Sequence, residues 1–465
     1  MRVLLVAHHL PPRHRAGVEV HTLRLAHALQ EHDCEVALYA TDDDPLRQAW
    51  SVAEESIEGI RCWRLAQARV AEQPSESLGG ANEHAAFERV LDAVRPEVVH
   101  FQHLMQVGVD APLHVARRGV PALLTLHEYW LLCARGGQMR QADGVLCARA
   151  DAETCARCLC THRFGRSGAE VRIARWCERL RRISGIDGFA LLKRLAEKRG
   201  RAIHDSVPPS PVEAEVARMR TFVAARQARV LASLHSCQRL LCPSRFLRNQ
   251  FVEAFPELER RLLYWPNGVP LSEGVAADSG GADHESTAPP APLRVGFLGS
   301  IIPEKGVDVL VRAFAALPSG LAALCIHGNS RLRPRYAAAL RAQAGASVQW
   351  AGVFTGSSQT ALAQLDVLVV PSVWYENAPL VITEAMAAGV PVVASDLGGM
   401  RELVQHESNG LLFPMGDAAA LAQCLQRLAL DRRLLRRLSA AAAPIRSVAA
   451  EAAASVALYR ELRSE

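Results

Sequence analysis

Glu376 and Glu384 stand eight residues apart in a stretch whose flanks change character. Before them, Leu365 to Val370 is largely apolar and β-branched, as a buried strand is. After them, Gly389 and Pro391 stop a helix that Pro379 can open, and Val390 to Ala394 reads as the next strand. Glu376 then falls in the loop before the helix and Glu384 within it. Neither follows the apolar spacing of Leu380, Ile382 and Met386, so packing does not account for them. A helix N-terminus offers unpaired N–H groups and a positive dipole end, which suit a diphosphate. Two carboxylates that accept from hydroxyls beside an anion site describe a nucleotide-sugar pocket. Two glutamates on a solvated helix face are the plainer account, and the rest of the chain has to decide between them.

Further chemistry-bearing residues fall at strand ends. Arg294 to Gly299 reads as a strand and turn, and Lys305 precedes Gly306 and a helix over Val307 to Leu317. A lysine at a helix N-terminus is a point charge suited to a leaving diphosphate. Pro121 to Leu126 is a strand that delivers His127 and Glu128 to its carboxyl end, where ligands of open α/β sheets bind. Pro96 to His103 does the same for His100 and His103, which we read as structural. Gly17 precedes the helix Val18 to Leu29, where backbone N–H groups can face a phosphate, although a lone glycine at a turn is commonly only geometry.

Cys133, Cys147, Cys155 and Cys158 follow the spacing Cys-x13-Cys-x7-Cys-x2-Cys, with Cys160 close behind. A Cys-x2-Cys pair lets two thiolates meet one ion, and two more complete a tetrahedral zinc site. An iron–sulfur cluster or four reduced thiols fit the same spacing.

The elements that position these residues follow from length and rhythm. At 465 residues the chain exceeds one core, so two domains are expected. Val3 to Ala7, Val18 to Leu29 and Val36 to Ala40 set a βαβ rhythm that implies a doubly wound parallel sheet. The rhythm lapses over about 129–235, an insertion holding the cysteines and arginine-rich helical patterns, and resumes at Leu240. In Val171 to Ile183 the residues Val171, Ala174, Cys177, Leu180 and Ile183 read as one apolar stripe, and such a basic amphipathic helix can lie on an anionic membrane. Residues 271–292, rich in Ser, Gly, Ala, Asp and Pro, read as a linker between an N-terminal domain (1–270) and a C-terminal domain (293–447), with a closing helix at 448–465. The net charge of +5 is small and the acidic residues are evenly spread, which argues against a nucleic-acid partner. The first apolar run is too short for a signal segment and no run is long enough to span a membrane, so a cytoplasmic protein with reduced cysteines is expected.

The Glu376-x7-Glu384 pattern with its flanks resembles retaining glycosyltransferase family 4, group 1 glycosyltransferases of GT-B fold. The resemblance implies an α/β protein of two doubly wound Rossmann-like domains facing a central cleft, the N-terminal one binding acceptor and the C-terminal one nucleotide sugar. It implies hexose transfer from a nucleotide-diphosphate sugar to a glycan, lipid-linked or small-molecule hydroxyl acceptor, in cell-surface glycan or glycolipid assembly. It places Glu376 by the donor sugar and Glu384 on the ribose hydroxyls. It adds Gly17, Gly299, Ser300, Lys305, Asn377, Ala378, Pro379, Leu380 and Val381 as donor-binding positions, and His127 as a contact to the transferred sugar. Many members carry glycines after the first glutamate where this chain has Asn377, Ala378 and Pro379, so donor preference does not carry over. The C-terminal domain carries no Asp-x-Asp triplet, so no catalytic metal is expected, only a structural zinc. Peripheral contact with the inner face of a membrane would run through the insertion. A sugar-nucleotide epimerase can share the architecture, and would turn over a nucleotide sugar without an acceptor. A basic nucleic-acid-binding module is the reading from another class.

Overall fold

The structure is a computed structural model that describes residues 1–67, 71, 73–186, 188, 212–271, 291–345, 347–353, 358–441 and 445–465. The linker expected at 271–292 lies almost wholly outside them. The chain forms two compact units. The first comprises Met1–Cys242, Gln250–Leu263 and Ala452–Glu465, and the second Pro243–Asn249 and Tyr264–Glu451.

In the first unit, Val3, Leu4, Leu5 and Val6 of β1 (Arg2–Val6) are fully buried, as a strand covered on both faces requires. It lies between β2 (Glu35–Asp42) and β5 (Val98–Phe101) in an eight-stranded sheet. The order is β3-β4-β2-β1-β5-β6-β7-β8, with β3 at Val52–Ile57, β4 at Ile60–Ala66, β6 at Ala122–Thr125, β7 at Arg239–Cys242 and β8 at Leu262–Tyr264. The antiparallel β3–β4 hairpin turns at Glu58 and Gly59, with φ of 49° and 87°. Its first strand, Val-Ala-Glu-Glu-Ser-Ile, lies at the edge and has few buried positions, so it lacks the apolar signature of the other strands. The crossover from β6 to β7 carries helices Ala152–Leu159, Gly168–Ser184 and Glu213–His235. The last of these ends at His235, and Arg239–Cys242 then pairs with β6.

The second unit is a six-stranded parallel sheet in the order β11-β10-β9-β12-β13-β14. These strands are Leu293–Leu298 (β9), Ala322–His327 (β10), Val348–Gly352 (β11), Val367–Val370 (β12), Val392–Ser395 (β13) and Gly410–Phe413 (β14). Helix Val307–Ala315 buries Val307, Leu310 and Phe314 with one set of strand residues. Helix Leu380–Ala387 buries Ile382, Ala385 and Met386 against Leu368, Val370 and Val392. Helix Val448–Ser464 begins in this unit, but from Ala452 it belongs to the first, where Tyr459 Oη lies 2.6 Å from His100 Nδ1.

Candidate functional site

In the second unit the order of strands reverses between β9 and β12, which pair directly at Val367 with Val295 and Leu368 with Gly296. The loops leaving the carboxyl ends of two such strands enclose the crevice where open α/β sheets bind ligands. One loop carries Lys305 and the other Glu376. The Val373 amide donates to the Glu304 carbonyl at 2.9 Å and joins the two loops. Gly306, at φ +64°, makes this approach possible, since a Cβ there would lie 1.9 Å from the Pro371 carbonyl oxygen.

Three donors then converge on one carboxylate oxygen. Lys305 Nζ (2.6 Å), Ser372 Oγ (2.7 Å) and Trp374 Nε1 (2.8 Å) all donate to Glu376 Oε1. Lys305 Nζ also lies 5.5 Å from the Trp374 ring centroid. Burial alone would raise the Glu376 carboxyl. The adjacent Lys305 charge and the three hydrogen bonds outweigh it and hold the group below its ordinary range, so it is an anion at neutral pH.

The same loop continues into a helix start. Gly399 packs its backbone against it, with its amide donating to Glu376 O at 2.9 Å. A Cβ on Gly399 would lie 1.4 Å from Asn377 O. The buried Asn377 accepts from Ser244 Oγ through Oδ1 at 2.5 Å, and Ser244 Oγ accepts in turn from the Leu247 amide at 3.0 Å. Ala378 and Pro379 lead to Leu380 and Val381 in the first helical turn, where Pro379 is the cap residue and no side chain caps the free N–H groups. Glu384 is buried one turn further along the same helix. Gly299 and Ser300 start the loop beyond β9, the Gly299 amide donating to His327 O at 3.0 Å. Of the residues singled out from sequence, Gly299, Ser300, Lys305, Glu376 to Val381 and Glu384 therefore stand at the strand ends and helix start of one unit.

Gly17 and His127 belong to the other unit. Gly17 opens helix Gly17–Gln30 after β1 and is exposed. His127 follows β6, with Nε2 2.8 Å from Gln102 Oε1. Burial, reinforced by the nearby rings of His21, His103 and His100, holds His127 well below the ordinary imidazole range and keeps it neutral. Glu128 pairs with His103 Nε2 at 3.0 Å, and the His103 ring lies 4.3 Å from that of His8. His8 Nε2 is 3.4 Å from Oε1 of Glu19, a carboxyl that burial pushes up. His100, by contrast, bridges Thr125 Oγ1 at 2.7 Å and Tyr459, and this is a packing role.

Cys133, Cys147, Cys155 and Cys158 occupy one neighbourhood, and each of Cys147 and Cys155 has the other three thiols near it. Burial, reinforced by Cys133 and Cys158, pushes Cys147 up to about 11, and burial reinforced by the other three thiols pushes Cys155 up to about 12. Arg135 Nη1 lies 3.8 Å from Cys158 Sγ. Buried Arg226 spans the start of the segment, donating to Leu131 O at 2.9 Å. Among the described residues no three His, Cys, Asp or Glu side chains converge into a metal shell. A cavity of about 360 Å³ opens here, lined by Cys155, Arg226 and Asp151 among others, and none of the strand-end residues above borders it.

Sequence reasoning passed over Ser372 and Trp374, although both lie within four residues of Glu376. It also missed Ser244, distant in sequence, and His8 and Glu19, which meet across the turn between β1 and the helix that follows.

The chain matches the sequence profile of glycosyl transferases group 1 over residues 292–431 and that of glycosyltransferase family 4 over residues 15–166. It is 31% identical over 185 residues to a GDP-mannose-dependent alpha-mannosyltransferase of Mycobacterium tuberculosis, covering 38% of this chain and 44% of that one. It is 30% identical over 256 residues to a D-inositol 3-phosphate glycosyltransferase of Nocardia farcinica, covering 52% and 54%. The chain thus spans about half the length of these curated relatives. Its backbone is similar to sucrose-phosphate synthase of Thermosynechococcus elongatus, with a TM-score of 0.64, 18% identity and coverage of 100% and 99%. It is also similar to Anabaena HepE in complex with UDP and glucose, with a TM-score of 0.60, 15% identity and coverage of 99% and 100%. At that identity the likeness is one of fold, two Rossmann-like domains of the GT-B class.

Proposed function

The chain belongs to glycosyltransferase family 4, the group 1 glycosyl transferases, and we infer that it moves a hexose from a nucleotide-diphosphate sugar to a hydroxyl acceptor. The convergence of Lys305, Ser372 and Trp374 on Glu376 beside an uncapped helix start carries this reading. Such a site binds a diphosphate at N–H groups and a sugar at a fixed carboxylate. The relatives named for GDP-mannose and inositol phosphate, and a neighbour holding UDP and glucose, support a nucleotide-sugar donor and a polyol or glycan acceptor.

We assign the second unit to the donor. Glu384 accepts from the ribose hydroxyls. Glu376, with three donors already on Oε1, offers Oε2 to the donor sugar. As the bond from the anomeric carbon to the diphosphate breaks, its electron pair moves to the phosphate oxygen. Lys305 and the N–H groups after Pro379 stabilise that charge. The acceptor oxygen bonds to the anomeric carbon on the vacated face and its proton passes to the diphosphate, so configuration is retained and the residues named require no catalytic metal. We assign the acceptor to the first unit, with neutral His127 as its candidate sugar-binding side chain.

We also propose that Cys133, Cys147, Cys155 and Cys158 hold one structural zinc ion: the four thiols share one neighbourhood, and because they do not converge into a shell here the ion would have to draw them together. When bound, the ion would crosslink the segment between β6 and helix Ala152–Leu159. We place the protein in the cytoplasm, where thiols stay reduced. The primary test is a melting-temperature panel of nucleotide diphosphates and their sugars. A rise that grows with ligand excess supports the assignment, and no response to any of them overturns it.

A further inference from the structure

Helix Gly168–Ser184 has two apolar faces where the sequence suggests one. Val171, Ala174 and Cys177 are buried, while Ile183 is 87% exposed and Leu180 only half-buried. The reason is helical drift: a row of i+3 steps turns by about 60° at each step, so a line begun at Val171 leaves the protein before it reaches Ile183. Ile173, Trp176, Leu180 and Ile183 form the second stripe, facing outward, with Ile173 and Trp176 at 45% and 50% exposure. Ile186 continues it just beyond the helix at 51%. Of the twelve large apolar residues exposed among the described residues, four lie within these fourteen positions, so the patch is not random scatter.

The arginines divide in the same way. Arg175 Nε donates to Pro45 O at 2.8 Å, and Arg182 Nη2 donates to Asp44 Oδ2 at 2.6 Å, which fastens the helix to the loop beyond β2. Arg172 and Arg179 are exposed beside the outward stripe, without an ion pair to any described residue. A helix of 17 residues with this charge is too short to span a bilayer. A narrow Ile/Trp stripe edged by these exposed arginines fits an interface whose head groups are anionic and whose interior is apolar. We propose that this face seats the protein on an anionic membrane surface, with the helix lying in the plane of the head groups and Trp176 at its centre.

The full chain should sediment with vesicles of phosphatidylcholine and phosphatidylglycerol, and not with vesicles of phosphatidylcholine alone, and added salt should release it. Trp176→Ala combined with Ile183→Ser should abolish sedimentation. Arg172→Ala combined with Arg179→Ala should weaken it about thirtyfold. A blue shift of fluorescence on vesicle addition should vanish in Trp176→Phe. Nucleotide-induced melting shifts, which report the second unit, should be unchanged in all these variants, so failure here is separate from failure of the donor assignment. Equal binding to neutral vesicles, no binding by the unaltered chain, or variants that sediment normally would overturn the proposal. So would a concentration-dependent dimer lost on Ile183→Ser, which would give the face to a second copy.

Discussion

Lys305 Nζ lies 2.6 Å from Glu376 Oε1, so the cation that suits the diphosphate and the carboxylate that suits the sugar form one ion pair. Each holds the other in place before any ligand arrives. Nothing in the linear order of the chain shows this, since 71 residues separate them.

Lys305→Ala should therefore cost more than a surface lysine would. Glu376 is left buried without its counter-charge, at a cost of about 1–3 kcal/mol in denaturant unfolding, and turnover should fall with it. Lys305→Ala and Glu376→Gln together should be less harmful to stability than the sum of the two, with a coupling of about 0.5–3 kcal/mol. Strict additivity would show two independent residues.

Acid should probe the same pair. The Glu376 carboxyl is held below its ordinary 4.5, so its charged form adds stability above that value, and the contribution is lost as pH falls through the lower folded value. Unfolding midpoints measured across this acid range should decline less steeply in Glu376→Gln than in the unaltered protein. Parallel curves would mean that the pair is not formed in solution.

Glu384→Ala should weaken donor binding about tenfold to a hundredfold, the worth of charged hydrogen bonds to hydroxyls, with the melting temperature of the free protein little changed. Glu376→Gln should instead lower kcat more than it raises donor KM. A raised KM with unchanged kcat would make Glu376 a simple binding group.

Gly399→Ala tests the backbone contact beneath the helix start. A Cβ 1.4 Å from Asn377 O forces the loop to move, at about 1–3 kcal/mol. The Ser244–Asn377 hydrogen bond and the donor-induced melting shift should both be lost. A normal shift would show that this loop does not hold the donor.

The parallel strands and the helix after Glu376 were legible because each is a dense apolar run with glycine and proline punctuation. So were the positions of Glu376 and Lys305 in the loops at strand ends and of Glu384 within the helix. Less legible were features set by neighbours: the polar edge strand Val52–Ile57, the pairing of Lys305 with Glu376, and the outward turn of Ile183. His103 shows the limit, because its Glu128 pair and its contact with the His8 ring are not visible in the linear order. Those depend on β5 lying between β1 and β6, which no local pattern encodes.

Elemental analysis of protein purified without chelator should find about one zinc per chain, and Cys155→Ser should lose it and loosen the segment to proteolysis. Metal-free, fully active protein would rule the site out.

Tyr459 reaches His100 from a helix made long after the sheet it completes. A ribosome emits Met1–Cys242 and Gln250–Leu263 of the first unit and the whole of the second before it reaches Ala452–Glu465. The second unit can finish folding while the first still exposes the groove that this helix fills, with His100 and Glu97 lacking Tyr459 and Arg463. Order of maturation is thus the reverse of order of synthesis, and the early unit passes through a period in which chaperones have an apolar groove to hold.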